Sequence, residues 1–342
     1  MGLQYAGIAD AVIATQELLI KKGAFTDLQT DLQDHVLVRN LWKGRNKDAF
    51  PGGDPWQFQV QIDHNHSASV VEMYDDDGGA IVDTLIEGEV NARHINAYYH
   101  YENHEKAFQK GGHAIVNLVN SRYIGMLVSM WELMEETLWS LPSNDGKTPF
   151  GVGYWVTRDS SEGFNGGNPS GFTSGKAGID QSTYPRWANW TSQYASITKQ
   201  DLIRRMRTAH RKIRFRSPVS HANPTFGMGN GIFTNSDVIG IMEELLEDQN
   251  MNLGNDLASK DGMTTFKSTP VVYAPYLDND SQDPVYMLDF KYLTLGFLKG
   301  WEYNLSKPYM IPGKHNVNRV DLDVSCQMIS TDLRRQAVIN TA

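Results

Sequence analysis

Trp56, Phe58, Val60 and Ile62 alternate with Gln57, Gln59, Gln61 and Asp63, the two-residue period of a half-buried strand. A second alternating run sets Ile95, Ala97, Tyr99 and Tyr101 against Asn96, Tyr98 and His100. Between them lie residues 67–74, the acidic turn Asp75-Asp76-Asp77-Gly78-Gly79, and residues 80–86. Paired as a hairpin, about 20 residues a side at ~3.3 Å each give an arm ~60 Å long. A lone two-stranded ribbon is marginal in water. Such an arm needs a surface to lie on, so the pattern points to self-assembly before it points to chemistry.

The period changes after the second run. Over 104–139, Phe108, Ile115, Val119, Tyr123, Met126/Leu127, Met130, Leu133/Met134 and Leu138 fall three, four or seven apart, the core-facing stripe of one long helix. Gly111-Gly112 weakens its first turns and marks a candidate start, and Pro142 stops it. Such a helix spans roughly 42–54 Å and forms a backbone for other layers. Upstream, 6–21 has helical spacing and 44–55 is a Gly/Pro-rich break. Residues 1–50 carry too little apolar surface for a core of their own and read as an arm with local helix.

Downstream, 143–197 is loop-rich. Its glycine- and serine-dense stretch SSEGFNGGNPSGFTSGKAG predicts a mobile loop unless a neighbour orders it. Tyr154, Trp155, Tyr184, Trp187, Trp190 and Tyr194 flank that loop, an aromatic load that suggests docking onto something. Thr198 with Asp201 resembles a capping box for a helix through Leu202, Ile203, Met206 and Ala209. A short strand is expected at 231–233. Asn235 or Ser236 can cap a second helix through Val238, Met242 and Leu246. Strands are expected at 264–274, 285–289 and 316–328, the last alternating from Val320 through Leu322, Val324, Cys326 and Met328. The mixture is that of an α+β chain.

Composition narrows the classes. A chain of 342 residues holds one elaborate domain or two smaller ones. A net charge of −9 argues against a dedicated nucleic-acid-binding protein, leaving a local basic face possible. The single cysteine, Cys326, excludes an internal disulfide and fits a reducing compartment. No run of 18 apolar residues is present to span a membrane, and the N-terminus lacks the basic region of a signal peptide.

Candidate chemistry is sparse. GFTSGKA at 171–177 invites comparison with a phosphate-binding loop. It fails because three residues rather than four separate Gly171 from Gly175, and Ala177 follows Lys176 where a hydroxyl should hold magnesium. His64, His66, His94, His100 and His104 cluster in the arm. A metal site on them competes with a plain exposed strand surface, and no carboxylate has matching spacing. Glu132, Glu135 and Glu136 lie near the end of the long helix, where acid–base work would need a cleft that separates their pKa values. Cys326 sits mid-strand on an apolar face, as core rather than nucleophile. The one strong charge block is Arg204, Arg205, Arg207, Arg211, Lys212, Arg214 and Arg216. It suits an acidic surface of a neighbouring subunit or nucleic-acid phosphates, and the acidic total charge favours the former.

The C-terminal third carries a resemblance. GIFTNSDVIGIMEELLEDQNMNLGNDLASKDGMTTFKSTPVVYAPYLDND (231–280), DPVYMLDFKYLTLGFLKGW (283–301), GKHNVNRVDLDVSCQMISTDLRRQAVI (313–339) and DLIRRMRTAHRKIRFRSPV (201–219) resemble tailed-bacteriophage major capsid proteins. The resemblance implies an N-terminal arm at 1–50 and an extended β-hairpin loop at 51–103. It implies a peripheral domain at 104–144 and 311–342 with its spine helix at 104–140, and an axial domain at 145–310. It further implies a virion shell of pentamers and hexamers around packaged double-stranded DNA. That shell would assemble in bacterial cytoplasm with a separate scaffold protein and a portal, without cofactor, catalysis or membrane. Three rivals stay open: an encapsulin-like nanocompartment, a metal-dependent enzyme using the arm histidines, and a nucleic-acid-binding protein using Arg204 to Arg216.

Overall fold

The computed structural model describes residues 34–50, 52, 55–61, 70, 72–73, 84–104, 112–143, 145–214, 229–250, 264–267 and 269–342. The helix expected at 6–21, the acidic turn at 75–77, His64, His66 and Arg216 lie outside them.

The chain opens with helix α1 (Val36–Lys43), which buries Val36, Leu37, Val38 and Leu41, and strand β1 (Asn46–Phe50). Strands β2 (Trp56–Gln61) and β3 (Leu85–Val90) form an antiparallel ribbon, in register from Trp56 opposite Val90 to Gln61 opposite Leu85. Strand β4 (Arg93–Glu102) precedes the long helix α2 (Gly112–Trp139), which begins at the expected glycine pair. The middle of the chain supplies α3 (Val152–Trp155), β5 (Gly163–Gly166), β6 (Asn189–Tyr194) and α4 (Leu202–Ile213). Then come β7 (Asn230–Thr234), α5 (Ser236–Asn250), β8 (Thr265–Phe266), β9 (Thr269–Tyr273) and β10 (Val285–Asp289). The last elements are β11 (Leu293–Leu298), β12 (Asn304–Leu305), β13 (Tyr309–Met310), β14 (Val317–Ser330) and β15 (Ala337–Thr341).

Two sheets organise these elements. In the first, β1, β11, β14 and β12 lie in that order, with β4 and β13 also paired to β14. Val320, Leu322, Val324, Cys326 and Met328 of β14 are wholly buried, as their alternation requires. They share one core with Tyr123, Met126, Met130, Met134 and Leu138 of α2. The second sheet runs β5-β6-β15-β10-β7-β9-β8. Its separate core packs Leu202, Met206 and Ala209 of α4 and Val238 and Met242 of α5 against Ile232, Val285 and Ile339. The start of α5 is capped as expected, by Asn235 Oδ1 accepting the Val238 amide at 3.1 Å. At α4 only half of the expected capping box forms. Thr198 Oγ1 accepts the Asp201 amide at 3.3 Å, while Asp201 Oδ2 turns to the amides of Ala195 (2.8 Å) and Ser196 (3.1 Å).

Three findings bear on these expectations, two of them as corrections. Residues 95–101 do not pair with 56–62. Strand β4 pairs with β14, from Arg93 opposite Cys326 to Glu102 opposite Val317. Ile95, Tyr99 and Tyr101 are buried, and the core under α2 covers them where a two-stranded arm would not. Second, sheet membership crosses the expected segments: β11 and β12, within 145–310, join β14, and β15, within 311–342, sits between β6 and β10. The chain changes sheets at 289–293 and 331–336, where neither Gly nor Pro marks a break. Third, the aromatics flanking the glycine-rich loop dock inward. Tyr154, Trp155, Trp187, Trp190 and Tyr194 are buried in this chain, and Tyr184 is half-buried.

Candidate functional site

Helix α4 carries the basic block, and its phase divides it. Leu202, Met206, Ala209 and Ile213 form the buried stripe. Arg204, Arg207, Arg211 and Lys212 are exposed. Arg205 is not available in the same way: its Nε donates to Asp201 Oδ1 at 2.6 Å and its Nη1 to Ser192 Oγ at 3.2 Å, with Glu162 at 3.4 Å. Arg214 is exposed but fixed by Nη2 donating to Thr269 Oγ1 at 3.0 Å. The seven cations thus resolve into a solvent-facing set, two residues tied into the chain, and Arg216 outside the described residues.

The glycine-rich loop is held from within. Lys176 is buried, and its Nζ donates to Asn189 Oδ1 at 2.9 Å, Thr157 Oγ1 at 3.0 Å and the Gly166 carbonyl at 3.0 Å. Burial pushes its pKa well below the ordinary lysine value. An amine so engaged faces the interior, which explains physically why 171–177 is not a phosphate loop. Gly175, at φ 82°, makes the approach possible: a Cβ there would lie 2.0 Å from the Ile179 carbonyl oxygen. The Tyr154 hydroxyl accepts the Ala177 amide at 2.8 Å and donates to the Gly175 carbonyl at 3.2 Å. At the loop's entrance, Arg158 forms a two-pronged ion pair with Asp280 and donates to Gln282 Oε1 at 2.9 Å and the Tyr286 hydroxyl at 2.8 Å.

The acidic and histidine candidates resolve differently. Glu135 is buried and spends its carboxylate on the start of α1: Oε1 accepts the Leu37 amide at 3.0 Å and Oε2 the Val38 amide at 2.8 Å. The Trp139 indole also donates to Oε1, at 2.8 Å. Burial pushes its pKa up against those three donors. Glu132 is half-buried and Glu136 exposed. His94 Nδ1 meets Ser325 Oγ at 2.5 Å, His104 meets Glu102 at 3.1 Å, and His100 is partly buried. Among the described residues no three His, Cys, Asp or Glu side chains come together as a metal site. Burial pushes the Cys326 thiol up to about 12, as befits a core residue.

The roles of Glu135 and Lys176 were not foreseen. The available signal was weak: Glu135 lies directly beside the apolar stripe and four residues before Trp139, the spacing of helix-face neighbours. The remaining surface is apolar in places. Tyr98, Trp301, Tyr309 and Met310 are exposed large side chains. Tyr98 and Tyr309 are linked to β14, through Arg319 stacked over the Tyr98 ring at 4.0 Å and the Tyr309 hydroxyl donating to Asp321 at 2.7 Å.

No family model matches the chain, and no curated protein does. Solved structures do. A chain of the cyanophage A-1(L) capsid asymmetric unit is similar over 94% of this chain and 97% of its own, at 14% identity and TM-score 0.61. The capsid of the empty GTA particle matches over 97% and 98%, at 11% identity and TM-score 0.57. The capsid of the myovirus XM1 matches over 94% and 95%, at 8% identity and TM-score 0.50. At such identities the comparison speaks to the backbone alone, and it is nearly end to end: the chain has the α+β fold of tailed-phage major capsid proteins.

Proposed function

We propose that this chain is the major capsid protein of a tailed double-stranded DNA bacteriophage, assembling as hexamers and pentamers into an icosahedral shell around the packaged genome. The observation that carries this reading is the near-complete overlay on the capsid chain of cyanophage A-1(L). In this reading, the first sheet with α2 is the peripheral domain, the second sheet is the axial domain, and the β2–β3 ribbon is the base of the extended loop. The protein works by association, with no reaction of its own. Its partners are copies of itself, a separate scaffold protein, a portal and the packaged DNA by non-specific contact. It assembles in the bacterial cytoplasm and resides in the virion.

Two features support an associating role. The β2–β3 ribbon seats Phe58 and Val90 in this chain's own core and leaves Leu85 at its far end exposed, where a neighbour can cover it. The exposed Arg204, Arg207, Arg211 and Lys212 belong to a chain of net charge −9, so a neighbouring copy offers them acidic surface. Negative-stain electron microscopy and sedimentation velocity test the proposal, on the expressed chain with and without the product of a neighbouring scaffold-like gene. Rings, sheets or closed shells are expected. A monodisperse monomer or dimer under both conditions would overturn it.

A further inference from the structure

A hollow of about 180 Å³ lies where the C-terminal end of α4 meets β7, β9 and β10. Among the described residues its charged lining is Arg214, Lys291 and Arg335 against the carboxylate of Asp289, with the His210 ring beside them. Arg335 is partly spent, its Nε lying 3.3 Å from Asp332. Arg214 is held in place from two sides. Its Nη2 donates to Thr269 Oγ1 at 3.0 Å and, with the Asn230 amide turned to suit both neighbours, to Asn230 at 3.1 Å. Asn230 in turn donates to Asp289 Oδ1 at 3.1 Å. Arg214 is therefore held in a fixed pose at the rim of the hollow.

Two titratable groups in the hollow are shifted from their ordinary values. Burial, then the positive charges of Arg214 and Lys267, hold the His210 imidazole down to about 4. Burial also pushes the Asp289 carboxyl up from its ordinary range. For both groups burial is the larger cause, and at Asp289 the charges of Lys291 and Arg335 act the other way, favouring the carboxylate. Among the described residues the buried His210 Nε2 has no hydrogen-bond partner, a cost that an acceptor in the hollow would offset.

We propose that this hollow is a binding site for a phosphate-class oxyanion, held by Arg214 and Lys291 with His210 Nε2 as a further donor. Guanidinium and ammonium groups give short, charge-assisted bonds to such oxygens. The anion is either free phosphate or a phosphate of a nucleic-acid backbone. The inference rests on the lining alone and stands or falls apart from the shell reading.

The test uses the full unassembled chain, labelled with nitrogen-15 at histidine. Sodium phosphate is titrated by calorimetry and by NMR against sodium chloride of equal ionic strength. Saturable phosphate binding is expected, together with a rise of the His210 titration midpoint. Arg214→Gln or Lys291→Gln should each weaken binding roughly tenfold, and Arg214→Lys should retain most of it. Near-ultraviolet circular dichroism checks that each variant folds, and the His210 readout on the unaltered chain is independent of any variant. A short DNA duplex that displaces phosphate identifies a backbone source, and one that does not identifies free phosphate. A response equalled by chloride, or kept in the Arg214→Gln, Lys291→Gln double variant, would overturn the site.

Discussion

The Glu135 carboxylate accepts the Val38 amide at 2.8 Å across 97 residues of sequence, so the long helix caps the short one. His35, at the N-cap position of α1, supplies no side-chain acceptor. Glu135 takes that role from outside, where its charge also suits the positive end of the helix. Trp42 of α1 then packs edge-on against Trp131 of α2, with centroids 4.8 Å apart. The junction is a polar clasp beside an aromatic one.

Replacing Glu135 by Gln should lower the unfolding free energy by about 1–3 kcal/mol, because an amide cannot offer two acceptor oxygens to Leu37 and Val38. The pH dependence has a definite sign. A carboxyl whose folded pKa is raised contributes stability that is full below its ordinary value of 4.5 and lost as pH rises through the raised one. Urea unfolding of the unassembled chain over about pH 4–8 should show that decline, and Glu135→Gln should remove it.

Lys176→Met keeps the length of the side chain and removes its donors from Asn189, Thr157 and Gly166. The expected cost is ~1–3 kcal/mol, with faster proteolysis within 158–180. Lysine with a lowered folded pKa contributes stability that is present above its ordinary value of 10.5 and lost as pH falls through the lowered one. Stability of the parent chain should therefore gain from this group as the solution is made alkaline. The Met variant should lack that gain, measured as urea midpoint against pH.

Gly175→Ala places a methyl against the Ile179 carbonyl in a backbone region that L-residues avoid. A loss of roughly 2–4 kcal/mol is expected, readable as a lower thermal midpoint. Gly171 has a similar φ of 85°, and among the described residues nothing lies within 4 Å of an added Cβ, so Gly171→Ala should cost clearly less.

Arg158→Ala removes the clamp that ties the loop entrance to Asp280, Gln282 and Tyr286. The pair is partly solvent-exposed, so the cost should stay near ~1–2 kcal/mol. Denaturant unfolding measures it, and a loss under about 0.3 kcal/mol would show the clamp to be idle.

Charge reversal on α4 separates two roles. Arg204→Glu, Arg207→Glu and Arg211→Glu together should leave subunit stability within about 0.5 kcal/mol yet abolish large assemblies by sedimentation and electron microscopy. Arg205→Glu should act the other way, lowering stability through Asp201 and Glu162.

What the sequence made legible is what depends on local period. The stripe from Tyr123 to Leu138 and the alternation from Val320 to Met328 each name their own buried face, and both faces meet in one core. Helical phase alone also places Arg204, Arg207 and Arg211 together. Partner choice is a different kind of information. That Ile95 lies opposite Val324, or Ala337 opposite Trp190, depends on surfaces far apart in the chain, and no window of residues contains it. The same holds for Glu135 and Lys176. Each looks like an ordinary polar residue until a remote segment supplies its donors or acceptors, and part of the phosphate-loop likeness around Lys176 is a by-product of glycines needed for close packing.

The placement of β15 has a consequence for the order of events during synthesis. It lies in the interior of the second sheet, parallel to β6 on one side and antiparallel to β10 on the other. Until residues 337–341 have left the ribosome, β6 and β10 have no strand between them, and each presents an unpaired edge. A nascent chain therefore cannot finish this sheet early.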